Sequence, residues 1–141
     1  PAFSPDGRWL AYTSNESGNQ VYVRAFPDRG GKWQISNNGG NYPEWSRNGR
    51  ELFFRTADNQ IAVAAYAARG DSFVADKPRI WSEKPLAQTF NNGSNYSLAP
   101  DGKRFAVFTL AEAPARQQAQ NHVIFLENFI DELRRKVPTG K

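Results

Sequence analysis

The chain has 141 residues, 39% hydrophobic and 13% aromatic, with 11 Gly and 9 Pro. That is enough for one hydrophobic core and short for two, too aromatic for disorder and too punctuated for a helical bundle, so a single all-β domain is expected. The absence of cysteine excludes disulfides, thiolate metal sites and a cysteine nucleophile, and the net charge of +4 is matched by Arg134, Arg135, Lys136 and Lys141 alone, which leaves no basic face for nucleic acid.

No apolar run approaches the roughly 20 residues of a membrane-spanning helix, so no membrane contact is expected of this segment. The sequence opens inside a repeat with no signal-like stretch, which leads to the expectation of a longer parent chain.

Three stretches repeat one pattern: "FSPDGRWLAYTS" from Phe3, "WSRNGRELFFRT" from Trp45 and "LAPDGKRFAVFT" from Leu98. Their glycines, Gly7, Gly49 and Gly102, lie 42 and then 53 residues apart. In the first unit Pro5 presets φ for a tight turn, Asp6 suits the next corner and Gly7 can take the left-handed conformation. "RWLAYTS" then reads as a strand, "QVYVRAF" at 20–26 as another and "KWQIS" at 32–36 as a fourth, with the short stretch ending at Phe3 as the first. The second unit turns on Asn48 and Gly49, with Arg47 where the others have proline. Its strands are "ELFFRT", "QIAVAAY" at 60–66 and "PRIWS" at 78–82. Between the last two lies "ARGDSF", where Arg69-Gly70-Asp71 reads as an ordinary loop. The third unit turns on Pro100, Asp101 and Gly102 and continues as "RFAVFT" and, after the polar loop Ala111–Asn121, as "HVIFLENF" at 122–129. No fourth strand follows. The runs after each turn are nearly continuous apolar, as expected of strands covered on both faces.

The chain closes with "NFIDELRRKVP", which reads as a short helix. Asn128 caps it, Asp131 and Glu132 fall in its first turn, Arg134 to Lys136 in its last, and Pro138 lies beyond. Phe129, Ile130, Leu133 and Val137 share one face, which would dock on a sheet.

Units of about 40 to 50 residues, each of several short strands, are the mark of propeller blades. The expected fold is therefore a partial β-propeller of about three four-stranded antiparallel blades, the last lacking its outer strand, plus the C-terminal helix. Blade one spans 1–37, blade two 41–82 and blade three 94–129, with the helix and tail over 129–141.

"FSPDGRWLAYTS", "NQVYV" and "GGKWQIS" together resemble the TolB-type, WD-repeat-like β-propeller. "GGNYPEWSRNGRELFFRTADNQIAVAAY", "FVADKPRIWS", "NYSLAPDGKRFAVFT" and the closing "NFIDELRR" are similar to the C-terminal part of propellers fused to bacterial serine/threonine protein kinases. Those proteins usually carry Asn-Trp where this chain has Asn128-Phe129, and the chain contains no kinase motif. The resemblance implies a kinase before this segment and an extracytoplasmic, periplasmic sensor or interaction domain here. Three blades would leave two aromatic faces open, so completion into a six-bladed ring is expected, either by further N-terminal blades or by homodimerisation.

His122 has no nucleophile partner and reads as structural. No metal site and no cofactor are expected. The best ligand candidates are in a second echo, "NNGGNY" at 37–42 and "NNGSNY" at 91–96: Asn38, Asn41, Tyr42, Asn92, Asn95 and Tyr96 could hydrogen-bond and stack on a small polar ligand or a peptide. Asn and Gly also simply make turns. Pro1 and Pro43 match Tyr96 in blade position, which gives Tyr96 a structural alternative. The chain thus reads as a non-catalytic ligand- or protein-binding module, with an accessory propeller of a serine peptidase and a TolB-like envelope interaction domain as alternatives.

Overall fold

A computed structural model describes residues 1–28, 30–87, 93–108 and 123–127. The helix expected over 129–141, the loop Ala111–Asn121, His122 and Asn92 lie outside the described residues.

Among the described residues every regular element is a strand. The first sheet consists of β1 (Ala2–Phe3), β2 (Trp9–Ser14), β3 (Gln20–Ala25) and β4 (Lys32–Gln34), in that order. The second has β5 (Asn41–Trp45), β6 (Glu51–Arg55) and β7 (Ile61–Arg69), with β8 (Ser72–Ala75) and β9 (Arg79–Ser82) both paired to β7. The third is β10 (Tyr96–Leu98), β11 (Arg104–Phe108) and β12 (Val123–Glu127). All these pairings are antiparallel. The chain divides into two compact units, Pro1–Pro85 with the first two sheets and Leu86–Lys141 with the third.

Each sheet begins with the same turn, and local chemistry explains why. Gly7, Gly49 and Gly102 have φ of 69°, 67° and 70°, a left-handed conformation costly for any residue with a Cβ. Their amides donate to the carbonyls of Ser4, Ser46 and Ala99. The side chain one residue earlier closes the loop: Asp6, Asn48 and Asp101 accept from the amides of Arg8, Arg50 and Lys103 at 3.1, 3.0 and 2.9 Å.

From that turn the register follows identically in the three sheets. Phe3 pairs with Leu10, Trp45 with Leu52 and Leu98 with Phe105. On the next ladder Trp9 pairs with Ala25, Glu51 with Ala65 and Arg104 with Glu127. Because side chains alternate along a strand, a shared register puts equivalent residues on equivalent faces.

In the first unit the two sheets pack face to face. Ala2, Ala11, Val23 and Trp33 form one row across the first sheet. They belong to the same apolar cluster as Trp45, Leu52 and Phe54 of the second. The Trp45 indole also donates to the Ala2 carbonyl at 2.9 Å. Phe53, Ile61 and Val63, on the opposite face of the second sheet, are buried as well, so its middle strands carry apolar residues on both sides.

The second sheet departs from the sequence expectation at one place. The "ARGDSF" stretch is not a loop between two strands; β7 runs on to Arg69, turns at Gly70, whose φ is 57°, and returns as β8. A two-residue turn opening on a positive-φ glycine matches strand twist, which is why this pair of residues closes a hairpin. Phe73 on β8 is 3% exposed. It stacks on Tyr66 at 5.2 Å between ring centroids and meets Trp9, Trp33 and Trp45 at 5.1, 5.7 and 6.2 Å. Arg8 holds the tip by donating to the Gly70 carbonyl at 2.5 Å. The hairpin is thereby a clasp between the two sheets.

Candidate functional site

The loop "NNGGNY" joins the first sheet to the second, and its glycines are dictated by close approach. A Cβ on Gly39 would come within 2.9 Å of the Ala57 Cβ, and one on Gly40 within 2.8 Å of Ser36. The Gly40 amide donates to the Asn19 carbonyl at 2.8 Å. Pinned in this way, the loop carries Asn37 and Asn38 out into solvent.

Asn38 reaches a cleft of about 120 Å³. Its floor comes from register: Phe54 pairs with Ala62 and Ala62 with Ile80, a row across β6, β7 and β9. Phe54 and Ala62 are 2% exposed, whereas Ile80, on the outermost strand, is 45% exposed and leaves one end open. Asn37, Thr56, Asp58 and Arg79 add polar groups to the rim. The arrangement is a slot with an apolar floor and two amides, a hydroxyl, a carboxylate and a guanidinium around it.

Asn41 and Tyr42 do not line this cleft. Asn41 pairs with Arg55 at the start of β5, and a bulge follows it before Glu44. Tyr42 occupies that bulge with φ of 53°, and the Arg55 guanidinium lies 4.7 Å from its ring centroid. A cation over an aromatic face is a contact worth about 0.5–1 kcal/mol at an exposed site, so the ring is engaged within the sheet.

The second echo lies in a different environment, in the other unit. Asn95 is fully buried; its side-chain amide donates to the Ala87 carbonyl, and its main-chain carbonyl accepts from the Phe108 amide at 3.0 Å. Tyr96 is 6% exposed and packs edge-on against Phe105 at 5.7 Å. The Asn95 side chain ties the stretch at Ala87 to the start of the third sheet, Tyr96 packs within that sheet, and neither is presented to solvent. Of the described candidates, Asn38 lines this cleft, and Asn41, Tyr42, Asn95 and Tyr96 do not.

Ile80, Ala62, Phe54 and Thr56 belong to the site and were not legible as site residues in the sequence. Each looks like an ordinary strand position, and only the pairing of three strands aligns them. No group of three or more His, Asp or Glu side chains able to hold a metal gathers among the described residues. A comparison of the sequence with protein-family models finds no match, and a comparison with curated proteins finds none either.

Proposed function

We propose that the chain is a run of TolB-type β-propeller blades acting as a non-catalytic binding module, with blades over 1–37, 41–82 and 94–129. The observation that carries this reading is the threefold recurrence of one turn and one strand register. Face-to-face packing of the first two sheets supports it as well. The resemblance to propellers fused to bacterial serine/threonine kinases extends the proposal to the extracytoplasmic sensor or scaffold part of a larger receptor.

The cleft under Asn38 is the binding site of this module, and its size selects the ligand. Sites for small molecules of drug size have volumes of roughly 300–1,000 Å³, while this one holds about 120 Å³. A slot of that size takes one side chain, which favours a protein or peptide partner anchored by a single apolar residue. Titration of acetyl-Gly-Leu-Gly-amide and acetyl-Gly-Asn-Gly-amide, followed by methyl NMR, tests this. The leucine peptide is expected to give saturable shifts at the Ala62 and Ile80 methyls with a Kd on the order of 1 mM. The Ala62 response is expected to be lost in Ile80→Asp. Absence of saturable shifts with either peptide contradicts the site.

A further inference from the structure

We propose that the cleft beside β9 takes the C-terminal residue of a partner chain, its side chain on the apolar floor and its free α-carboxylate on Arg79, a proposal that rests on this cleft being the binding site of the module.

The rim carries the first step, because it is rich in donors. Asn37 and Asn38 bring side-chain amides from the loop before β5, and Arg79 brings a guanidinium from the start of β9. Thr56 adds a hydroxyl whose oxygen accepts from the Gln60 amide at 3.1 Å, which leaves its hydrogen to donate. Against these stands one acid, Asp58, on the turn between β6 and β7. A guanidinium among neutral donors is matched best by an acceptor that carries negative charge, and a carboxylate fits its planar fork.

An internal residue of a peptide lacks that acceptor. Its two flanking amides are neutral and would take water from Arg79 without pairing its charge. The last residue of a chain has a carboxylate on one side of its Cα and an N–H on the other. Arg79 on β9 receives the first, and Asp58, on a different element, accepts from the second. The Arg79 charge is not used within the chain: Arg24, Lys32 and Arg104 form ion pairs with Asp28, Glu16 and Asp101, whereas among the described residues Arg79 forms none.

Size and shape agree with a chain end. A volume of about 120 Å³ holds one side chain, and a terminal residue needs no room for anything that follows it. Ile80, 45% exposed, leaves one end of the cleft open, so the chain leading to the terminal residue departs over an apolar side chain.

Methyl NMR titrations of the full chain with acetyl-Ala-Leu, which bears a free α-carboxylate, and with acetyl-Ala-Leu-amide test this. Both are expected to shift the Ala62 and Ile80 methyls, the acid with a Kd about fivefold lower, the most that an exposed ion pair usually contributes. Added salt is expected to shrink that preference. Arg79→Gln, at an exposed position, is expected to abolish the preference and to leave the Kd of the amide unchanged, which also shows that the variant is folded. Equal Kd values for the two peptides, or a preference that survives Arg79→Gln, overturn the carboxylate contact while leaving the cleft as a binding site. Absence of saturable shifts with both peptides removes the binding site and the proposal together. Free leucine binding more tightly than acetyl-Ala-Leu assigns the cleft to an amino acid instead of a chain end, and overturns the proposal as well.

Discussion

Ser46 is fully buried, and its hydroxyl has two partners across the turn: it accepts from the Glu51 amide at 2.9 Å and donates to Asn48 Oδ1 at 2.6 Å. Ser4 does the same in the first sheet, accepting from the Trp9 amide at 3.0 Å and donating to Asp6 at 2.6 Å. The third sheet has Ala99 there, and Asp101 is tied instead to Arg104 at 2.9 Å. Removing a buried hydroxyl strands the amide it served, so Ser46→Ala is expected to cost about 1–3 kcal/mol in urea unfolding. Ala99→Ser, which places beside the Arg104 amide the hydroxyl that the first two turns carry, is expected to stabilise the third sheet by up to about 1 kcal/mol. Loss of stability in the second variant would mean that the turns are not equivalent. Burial works against ionisation of Asp6, but the Ser4 hydroxyl and the Arg8 amide outweigh it and hold its carboxyl below the usual value. Its contribution is complete above the ordinary carboxylate range and fades as pH falls through the lowered value. Asp6→Asn, which copies the second sheet, should therefore blunt the acid loss of stability. The Asp-Gly and Asn-Gly corners were legible in the sequence because those residue types have few other local uses. The serines were not, since Ala99 interrupts their pattern and a hydroxyl shows its use only when an amide arrives from across the turn.

The hairpin of β7 and β8 is the element that the sequence concealed. Phe73 and Ala75 of β8 pack on the core, while Ser72 and Val74 are exposed, so the strand offers a single large inward side chain in four residues beside an Arg-Gly-Asp that reads as loop. Its return strand also bends away at residues 76–78 before β9 resumes the pairing with β7, which breaks the expected single outer strand in two. Phe73→Ala is expected to cost about 3–5 kcal/mol, the usual loss for emptying a buried aromatic site, whereas Val74→Ala should change little. Equal effects of the two in urea unfolding would rule out a clasp. Tyr66, stacked on Phe73, gives a second readout. Burial, with a smaller contribution from Asp6, pushes its hydroxyl up to about 12 from 10.0. A raised value means the folded state holds the proton more tightly, so the stabilisation is complete below pH 10 and is lost as pH climbs towards 12. Between those limits the unmodified protein should lose more stability than Tyr66→Phe, as urea midpoints at pH 9 and pH 11.5 will show.

At the scale of the whole molecule, what survives from sequence to structure is the all-β, antiparallel character and the turn at Gly7, Gly49 and Gly102, because the three turns are built alike. Which face each strand presents was not legible. "RWLAYTS", "ELFFRT" and "RFAVFT" are apolar on both sides, and alternation carries no direction until the register is set. The candidate loops divide for the same reason: two sequences as similar as "NNGGNY" and "NNGSNY" carry Tyr42 to a bulge under the Arg55 guanidinium and Tyr96 into a sheet's interior. The shared register is the claim on which the binding module depends. Inter-strand NOEs test it most directly. The structure requires cross-peaks for Phe3 with Leu10, Trp45 with Leu52 and Leu98 with Phe105, and on the next ladder for Trp9 with Ala25, Glu51 with Ala65 and Arg104 with Glu127. A third sheet displaced by a single residue would turn Phe105 and Val107 outward and Arg104 inward, and would contradict the account.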